Sequence, residues 1–82
     1  MRIDKFLNAV NITKRRSIAE DMLQNKVIQI NNTVVKKSKE VKVGDIISVH
    51  YLDYIDEFQV LQIPTTKTTP KSHQSMYVKK LN

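Results

Sequence analysis

Apolar residues at helical spacing mark the beginning of the chain. Four of them occupy positions i, i+3, i+4 and i+7, which share one face of a helix: Ile3, Phe6, Leu7 and Val10. Asn11 interrupts this pattern. The spacing therefore predicts a short amphipathic helix that ends near Asn11.

A second helix is predicted between Thr13 and Asn25. Its apolar face consists of Ile18, Ala19, Met22 and Leu23. Two starts fit the residues: Thr13 is a candidate N-cap, and Ser17 with Glu20 has the spacing of a capping box. At the other end, Asn25 suits a left-handed C-terminal cap.

The next segment has the pattern of a β-hairpin. Residues 27–30 and 33–35 are rich in Val and Ile, and Asn31 and Asn32 separate them. Two residues that tolerate positive φ between two such stretches favour a type I′ turn. We therefore expect a tight antiparallel hairpin after the second helix.

A second hairpin is expected from residues 46–52 and 58–63, with Asp53, Asp56 and Glu57 at its turn. The preceding turn contains Gly44, which is the only glycine of the chain. The predicted order of elements is therefore two helices followed by two hairpins.

The last part of the chain differs in composition. Pro64 ends the final long strand, and residues 65–75 contain Thr, Lys, Ser and Pro but no aliphatic residue. This composition favours a mobile loop. We therefore expect a domain at 1–63 and a mobile tail at 64–82, in which residues 76–78 could form a short terminal strand.

Length and composition restrict the class of protein. A chain of 82 residues fits one domain, and it buries only roughly 60–65% of the surface that its unfolded form exposes. It has no cysteine, which excludes disulfides and thiolate zinc sites. No apolar run approaches the ~20 residues of a membrane span, and no cleavable signal is recognisable. We expect a soluble, cytoplasmic monomer.

Charge is segregated along the chain. Residues 1–42 contain ten Lys or Arg and four acids, residues 43–63 contain four acids and no Lys or Arg, and residues 64–82 contain four Lys and no acid. The formal net charge is +6. Such segregation favours a polyanionic partner, although a basic surface also serves solubility.

Enzyme chemistry lacks its usual groups. His50 and His73 are the only histidines, and neither has metal-ligand spacing. The chain contains no glycine-rich phosphate loop, and His50 has no convincing nucleophile near it in sequence. We therefore expect neither catalysis nor a metal or other cofactor.

The assembled pattern resembles the S4 RNA-binding domain, also called the αL motif. The matching stretches follow in chain order and cover residues 1–50: Arg2-Ile3-Asp4-Lys5-Phe6-Leu7, Lys14-Arg15-Arg16-Ser17-Ile18-Ala19, Val27-Ile28-Gln29-Ile30-Asn31, Val34-Val35-Lys36-Lys37-Ser38, Val41-Lys42-Val43-Gly44-Asp45 and Ile46-Ile47-Ser48-Val49. Asn25 and Asn32 stand where many relatives have glycine. Within the family, the chain is most similar to free-standing small bacterial proteins, namely the RqcP-like ribosome quality-control factors and the small ribosome-associated heat-shock S4 protein.

This resemblance implies an α+β fold, in which two or three short N-terminal helices pack on a small antiparallel sheet. It also implies a concave basic surface that contacts folded RNA. For the RqcP-like branch, it implies binding to large-subunit ribosomal RNA and tRNA on the ribosome during quality control of stalled chains. The alternatives are a general binder of structured RNA such as tRNA or messenger hairpins, a protein-interaction adaptor that uses the acidic hairpin and the tail, and, with less support, a DNA binder.

The candidate RNA contacts are seven basic residues of the matching stretches, namely Arg2, Lys5, Lys14, Arg15, Arg16, Lys36 and Lys37, and two flanking lysines, Lys26 and Lys39. Arginine can donate two parallel hydrogen bonds to phosphate oxygens. If the second helix begins near Thr13, three of these cations oppose the dipole of its first turn, as expected where a phosphate binds. The alternative is a solvated helix face.

The lysines after the first hairpin have two interpretations. On a strand, Lys37 and Lys39 would share a face and Lys36 would take the other. They could contact RNA, or they could protect the edge of the sheet. Asp4 either orients Arg2 or Arg16 through an ion pair, or is a favourable acid at a helix N-terminus.

Three tyrosines are candidates for base stacking, namely Tyr51, Tyr54 and Tyr77. A structural role is favoured, because Tyr51 falls in an apolar strand and the acids around Tyr54 would repel RNA. The acidic turn itself is interpreted as a solvated surface away from RNA, or as a docking site for a basic protein.

Overall fold

The protein is a two-layer structure in which helices cover one five-stranded sheet. The computed structural model describes all 82 residues. Its helices are α1 (Ile3–Ala9), α2 (Arg16–Gln24), a 3₁₀ turn (Lys71–His73) and α3 (Gln74–Tyr77). Its strands are β1 (Ile28–Ile30), β2 (Thr33–Val34), β3 (Ile46–His50), β4 (Ile55–Val60) and β5 (Val78–Lys80), in the order β2-β1-β3-β4-β5. All neighbouring strands are antiparallel, so the predicted α+β class is confirmed.

The apolar face of α1 forms the centre of the core. Its four predicted core residues are completely buried, and they pack with Ala19 and Leu23 of α2 and with residues of β1, β3 and β4. Truncating a buried Phe such as Phe6 costs about 3–5 kcal/mol, a large part of the about 5–15 kcal/mol that stabilises a domain. The position of α1 is therefore fixed by the core.

One predicted core residue of α2 is exposed. Ile18 retains 39% of its accessible surface, whereas Ala19 and Leu23 are buried. The prediction that Ile18 is buried is therefore wrong. Residues i and i+4 define the stripe of α2 that faces α1, and Ile18 lies about 100° around the helix from Ala19.

Both N-terminal helices end in the same hydrogen-bonded motif. The N–H of Ile12 donates to the carbonyl of Leu7, and the N–H of Val27 donates to the carbonyl of Met22, as in a Schellman motif. The residues with positive φ are Asn11 (65°) and Lys26 (62°). The left-handed position after α2 is therefore Lys26 and not the predicted Asn25, since Asn25 is the C-cap residue and has a φ of −80°.

The first hairpin has the predicted turn. Asn31 and Asn32 have φ values of 51° and 68°, and Ile30 pairs with Thr33. The side chain of Asn31 also holds the turn against the start of β3. Its amide donates to Asp45 Oδ1 (3.2 Å), and its oxygen accepts from the N–H of Ile46 (3.0 Å).

The second hairpin is tighter than predicted. The N–H of Tyr51 donates to the carbonyl of Tyr54, which closes the turn after β3. Asp56 and Glu57 therefore lie within β4, opposite Val49 and Ser48, and only Asp53 lies at the turn as predicted. Pairing of Ile55 with His50 extends β4 towards its N-terminus, so the strand begins before the apolar run that starts at Phe58.

The C-terminal segment contacts both layers. Thr69 is buried, and its hydroxyl donates to the carbonyl of Ala9 at the end of α1 (2.7 Å). The side-chain amide of Gln74 donates to the carbonyl of Val10 (2.8 Å). The expected terminal strand is present as β5, which starts at Val78 because Met76 and Tyr77 complete α3. The independent mobility of residues 64–82 stays a prediction.

No helix of this protein has the length and hydropathy needed to cross a membrane.

The two asparagines of the first turn predict opposite effects of glycine. Asn32→Gly relieves a left-handed residue that makes no side-chain hydrogen bond, and should raise the free energy of unfolding by up to about 1 kcal/mol. Asn31→Gly loses the two bonds to Asp45 and Ile46, and should lower it by about 1 kcal/mol. Urea unfolding of both variants measures the difference. Equal changes of one sign would contradict the role of the Asn31 side chain.

Candidate RNA-binding surface

One buried carboxylate joins two arginines from separate parts of the chain. Asp4 lies in the first turn of α1 and is completely inaccessible to solvent. Its Oδ2 accepts from Arg2 Nη2 at 3.0 Å and from Arg16 Nη2 at 3.2 Å. Its Oδ1 accepts from the N–H of Lys5 at 2.8 Å. Because an unpaired buried carboxylate is costly, Asp4 strongly favours conformations in which both arginines are near it.

Backbone contacts with residues 39–41 also hold Arg2 in place. The backbone of Arg2 forms an isolated antiparallel bridge with Glu40, and the N–H of Ile3 donates to the carbonyl of Lys39 (2.7 Å). The Met1 ammonium lies 2.8 Å from Glu40 Oε2. That hydrogen bond and the ammonium charge lower the pKa of Glu40 below its usual value. The N-terminal residues are therefore fixed beside residues 39–41.

Both arginines remain available to a ligand. The side chain of Arg2 is 37% exposed and that of Arg16 is 47% exposed. Arg16 also contacts Glu20 one turn along α2, with 3.3 Å between Nε and Oε1. A guanidinium has five N–H donors, so these contacts leave donors on each arginine. Asp4 thus holds two partly exposed guanidinium groups at the junction of α1 and α2.

The start of α2 differs from both predicted alternatives. The helix begins at Arg16, and neither its N-cap, Arg15, nor any other side chain caps it. Thr13 is buried, and its hydroxyl donates to the carbonyl of Arg15 (3.2 Å), so it is not the N-cap. Only Arg16 of the basic triplet lies in the first turn. Lys14 and Arg15 precede it as exposed residues without an ion pair.

Three further candidate lysines surround one groove. Lys26, Lys36 and Lys37 line a space of about 440 Å³ between the end of α2 and the segment after β2. Glu20 lies at the same groove. None of the three lysines makes an ion pair. Lys26 therefore has the left-handed conformation that follows α2 and also contributes positive charge to this groove.

The lysines after the first hairpin are not on a strand. β2 ends at Val34, and the N–H of Lys39 donates to the carbonyl of Lys36 (3.0 Å) in a turn. The predicted alternation of faces at Lys36, Lys37 and Lys39 is therefore wrong. Lys36 and Lys39 instead line a second groove of about 590 Å³, together with Lys42, Glu40 and Asp45.

The remaining candidate, Lys5, lies in a third depression. It lines a cleft of about 490 Å³ with Arg16 and with residues 65–68. Lys67 also lines this cleft but is not among the candidates from the sequence, because the Thr- and Lys-rich composition around it predicts a mobile tail. The contact of Thr69 with the end of α1 is what brings Lys67 to the N-terminal helices.

The aromatic residues contribute to a different part of the molecule. The rings of Tyr51 and Tyr54 stack on each other with centroids 4.7 Å apart. Burial and the negative charge of Asp56 raise the pKa of Tyr51. Tyr51 lies just after β3 and is partly exposed, so its predicted place in an apolar strand is wrong. No tyrosine lines any of the three basic grooves.

Comparison with known proteins identifies close relatives. A protein of Helicobacter pylori strain J99 named RQC P-site tRNA stabilizing factor is 49% identical over 78 residues, which are 95% of this chain and 93% of the relative. A Bacillus subtilis protein of the same name is 34% identical over 94% of this chain and 88% of its own length. A Heat shock protein 15 homolog of Haemophilus influenzae is 29% identical over 94% of this chain and 59% of its own length.

Solved structures have the same fold. The solution structure of a hypothetical protein designated HP1423 superposes with a TM-score of 0.86 at 45% identity, over the whole of this chain and 98% of the other. The trimeric Heat Shock Protein 15 of Vibrio cholerae superposes with a TM-score of 0.88 at 22% identity, over 99% of this chain and 81% of the other. The S4 domain matches residues 1–47, the segment that contains Asp4 and both of its arginines. The chain therefore belongs to the S4 domain family, as its residue pattern indicated.

Proposed function

We propose that this protein is a non-catalytic RNA-binding factor that associates with the large ribosomal subunit during ribosome-associated quality control. Support comes from membership of the S4 domain family and from relatives named RQC P-site tRNA stabilizing factor. The proposed partners are large-subunit ribosomal RNA and tRNA, the proposed location is the cytoplasm, where ribosomes work, and the proposed state is a monomer.

The observation that carries this proposal is the pair of arginines held by Asp4. Arg2 and Arg16 each keep free guanidinium donors, and both are fixed by a carboxylate that lies out of reach of solvent. Holding a donor before the ligand arrives reduces the side-chain entropy that binding costs, about 0.5–1.5 kcal/mol for each immobilised side chain. The geometry therefore favours phosphate contacts from both arginines of one rigid platform.

The other candidate residues would extend this platform. Lys5, Lys14 and Arg15 lie on or between the two N-terminal helices, and none of them makes an ion pair. The groove of Lys26, Lys36 and Lys37 continues it past the end of α2. We propose that these residues add phosphate contacts, whereas the acids of β4 keep the β3–β4 hairpin away from RNA.

Such a factor would act by binding alone, without catalysing a reaction. Phosphate contacts fix the position and orientation of a protein on RNA but do not read bases. A small rigid domain held against ribosomal RNA could in addition contact a tRNA bound next to it, and so slow the dissociation of that tRNA. This mode of action requires no reacting group on the protein.

A general binder of structured RNA is the second candidate, and the same chemistry favours it. No aromatic side chain lines the basic grooves, so nothing on this surface points to base recognition. Competition between purified large-subunit ribosomal RNA and bulk tRNA separates the two functions. A ribosomal factor binds the ribosomal RNA in preference, and a general binder does not distinguish them.

Removing the arginine pair should release the protein from the ribosome. In a sucrose gradient of lysate from the cells that make it, the wild-type protein should migrate with the large subunit. Arg2→Ala/Arg16→Ala should remain at the top, because loss of two charge-assisted contacts of about 1.5–3 kcal/mol each lowers affinity by at least about 100-fold.

The matched control is Lys71→Ala/Lys79→Ala, which removes the same charge from two exposed lysines outside the three grooves. This variant should migrate with the large subunit. Equal loss in both variants would mean that net charge alone drives association. Co-migration of a folded Arg2→Ala/Arg16→Ala protein would contradict the proposal.

Binding should depend strongly on salt. Four to six phosphate contacts release a similar number of counterions, which predicts a log–log slope of affinity against salt of roughly −3 to −5. Titration of labelled protein with large-subunit ribosomal RNA between low and moderate salt measures the slope. A slope near zero would contradict recognition through phosphates.

A further inference from the structure

The cleft between α1 and the C-terminal segment has an unusual lining. Its lining residues carry three cationic side chains and no carboxylate: Met1, Lys5, Asn8, Arg16, Thr65, Thr66, Lys67 and Thr68. The other two basic grooves each contain acids, Glu20 in one and Glu40 with Asp45 in the other. Of the three, this cleft is therefore the one whose lining is most complementary to an anion.

The wall formed by residues 65–68 is fixed at both ends. Pro64 and Thr69 are buried on either side of this exposed loop. The carbonyl of Ala9 accepts from both the N–H (3.1 Å) and the hydroxyl of Thr69 (2.7 Å). The amide of Asn11 donates to the carbonyl of Thr69 (2.9 Å). Inside the loop, the hydroxyl of Thr66 donates to the carbonyl of Thr68 (2.7 Å).

The donors of this cleft match a phosphodiester. Lys5 and Lys67 make no ion pair, so their ammonium groups have no competing carboxylate. Arg16 forms one wall while Asp4 and Glu20 hold part of its guanidinium. Threonine hydroxyls can donate further hydrogen bonds to phosphate oxygens. A volume of about 490 Å³ accommodates a phosphate with its neighbouring sugars.

We propose that this cleft binds a backbone phosphate of the RNA and that Lys67 is one of its ligands. The inference rests on the proposed RNA-binding function and extends its surface beyond residues 1–47, which the S4 domain covers. The C-terminal segment thus forms a second wall of the RNA site, opposite the arginine that Asp4 holds.

The test compares two lysines of the same segment. Binding of labelled protein to large-subunit ribosomal RNA is measured for Lys67→Ala, for Lys79→Ala and for wild type over a series of salt concentrations. Loss of one phosphate contact should weaken binding about 3- to 10-fold at low salt, and should make the log–log slope shallower by about 0.7–0.9. Lys79 is exposed on β5 outside the cleft, so Lys79→Ala should bind within about twofold of wild type.

Two further variants separate this proposal from the function on which it rests. Lys67→Arg keeps the charge and the donors, and should bind as wild type does. Arg16→Ala should weaken binding if the proposed function is right. Weak binding by Arg16→Ala together with equal binding by Lys67→Ala and Lys79→Ala would overturn the cleft and leave the function standing. Wild-type binding by a folded Arg16→Ala protein would overturn both.

Discussion

The shared ion pair of Asp4 with Arg2 and Arg16 is the constraint on which this surface depends. A fully buried carboxylate needs compensating positive charge, and here both partners come from outside its own helix. One arginine precedes α1 and the other begins α2. Burying the apolar face of α1 brings these segments together, so the core determines where the two guanidinium groups lie. Packing and recognition are therefore linked through a single side chain.

The same helix also positions the end of the chain. Carbonyl groups at the C-terminus of α1 have no partner within the helix, and those of Ala9 and Val10 accept from Thr69 and Gln74. These bonds hold the loop with Lys67 beside Arg16. The acids of β4 are instead distributed along a strand, where Asp56 pairs with Lys80 of β5 (3.3 Å). Of the four C-terminal lysines, Lys67 thus lies beside Arg16, whereas Lys80 pairs with the acidic strand.

Local patterns predicted most of the fold, and the stretches that match the S4 domain contain the predicted Arg2 and Arg16. The spacing in α1 and the asparagine pair at 31–32 specify their elements through short-range physics. Tertiary contacts decided the rest. Residue Lys26 has the left-handed conformation because the Schellman bonds of α2 require it there, and β4 starts early because Ile55 pairs with His50. Lys67 was missed because a polar, Thr-rich loop gives no signal of the distant helix end that anchors it.

Replacement of Asp4 by asparagine separates its effect on the position of the two arginines from the effect of its charge. Simple electrostatics predicts that Asp4→Asn strengthens binding to large-subunit ribosomal RNA, since a negative charge is lost. We instead predict weaker binding, because the arginines lose the group that orients them. Asp4→Asn should also have little effect in the Arg2→Ala/Arg16→Ala background, so that the effects are not additive. Stronger binding, or the same loss in both backgrounds, would contradict the role of Asp4.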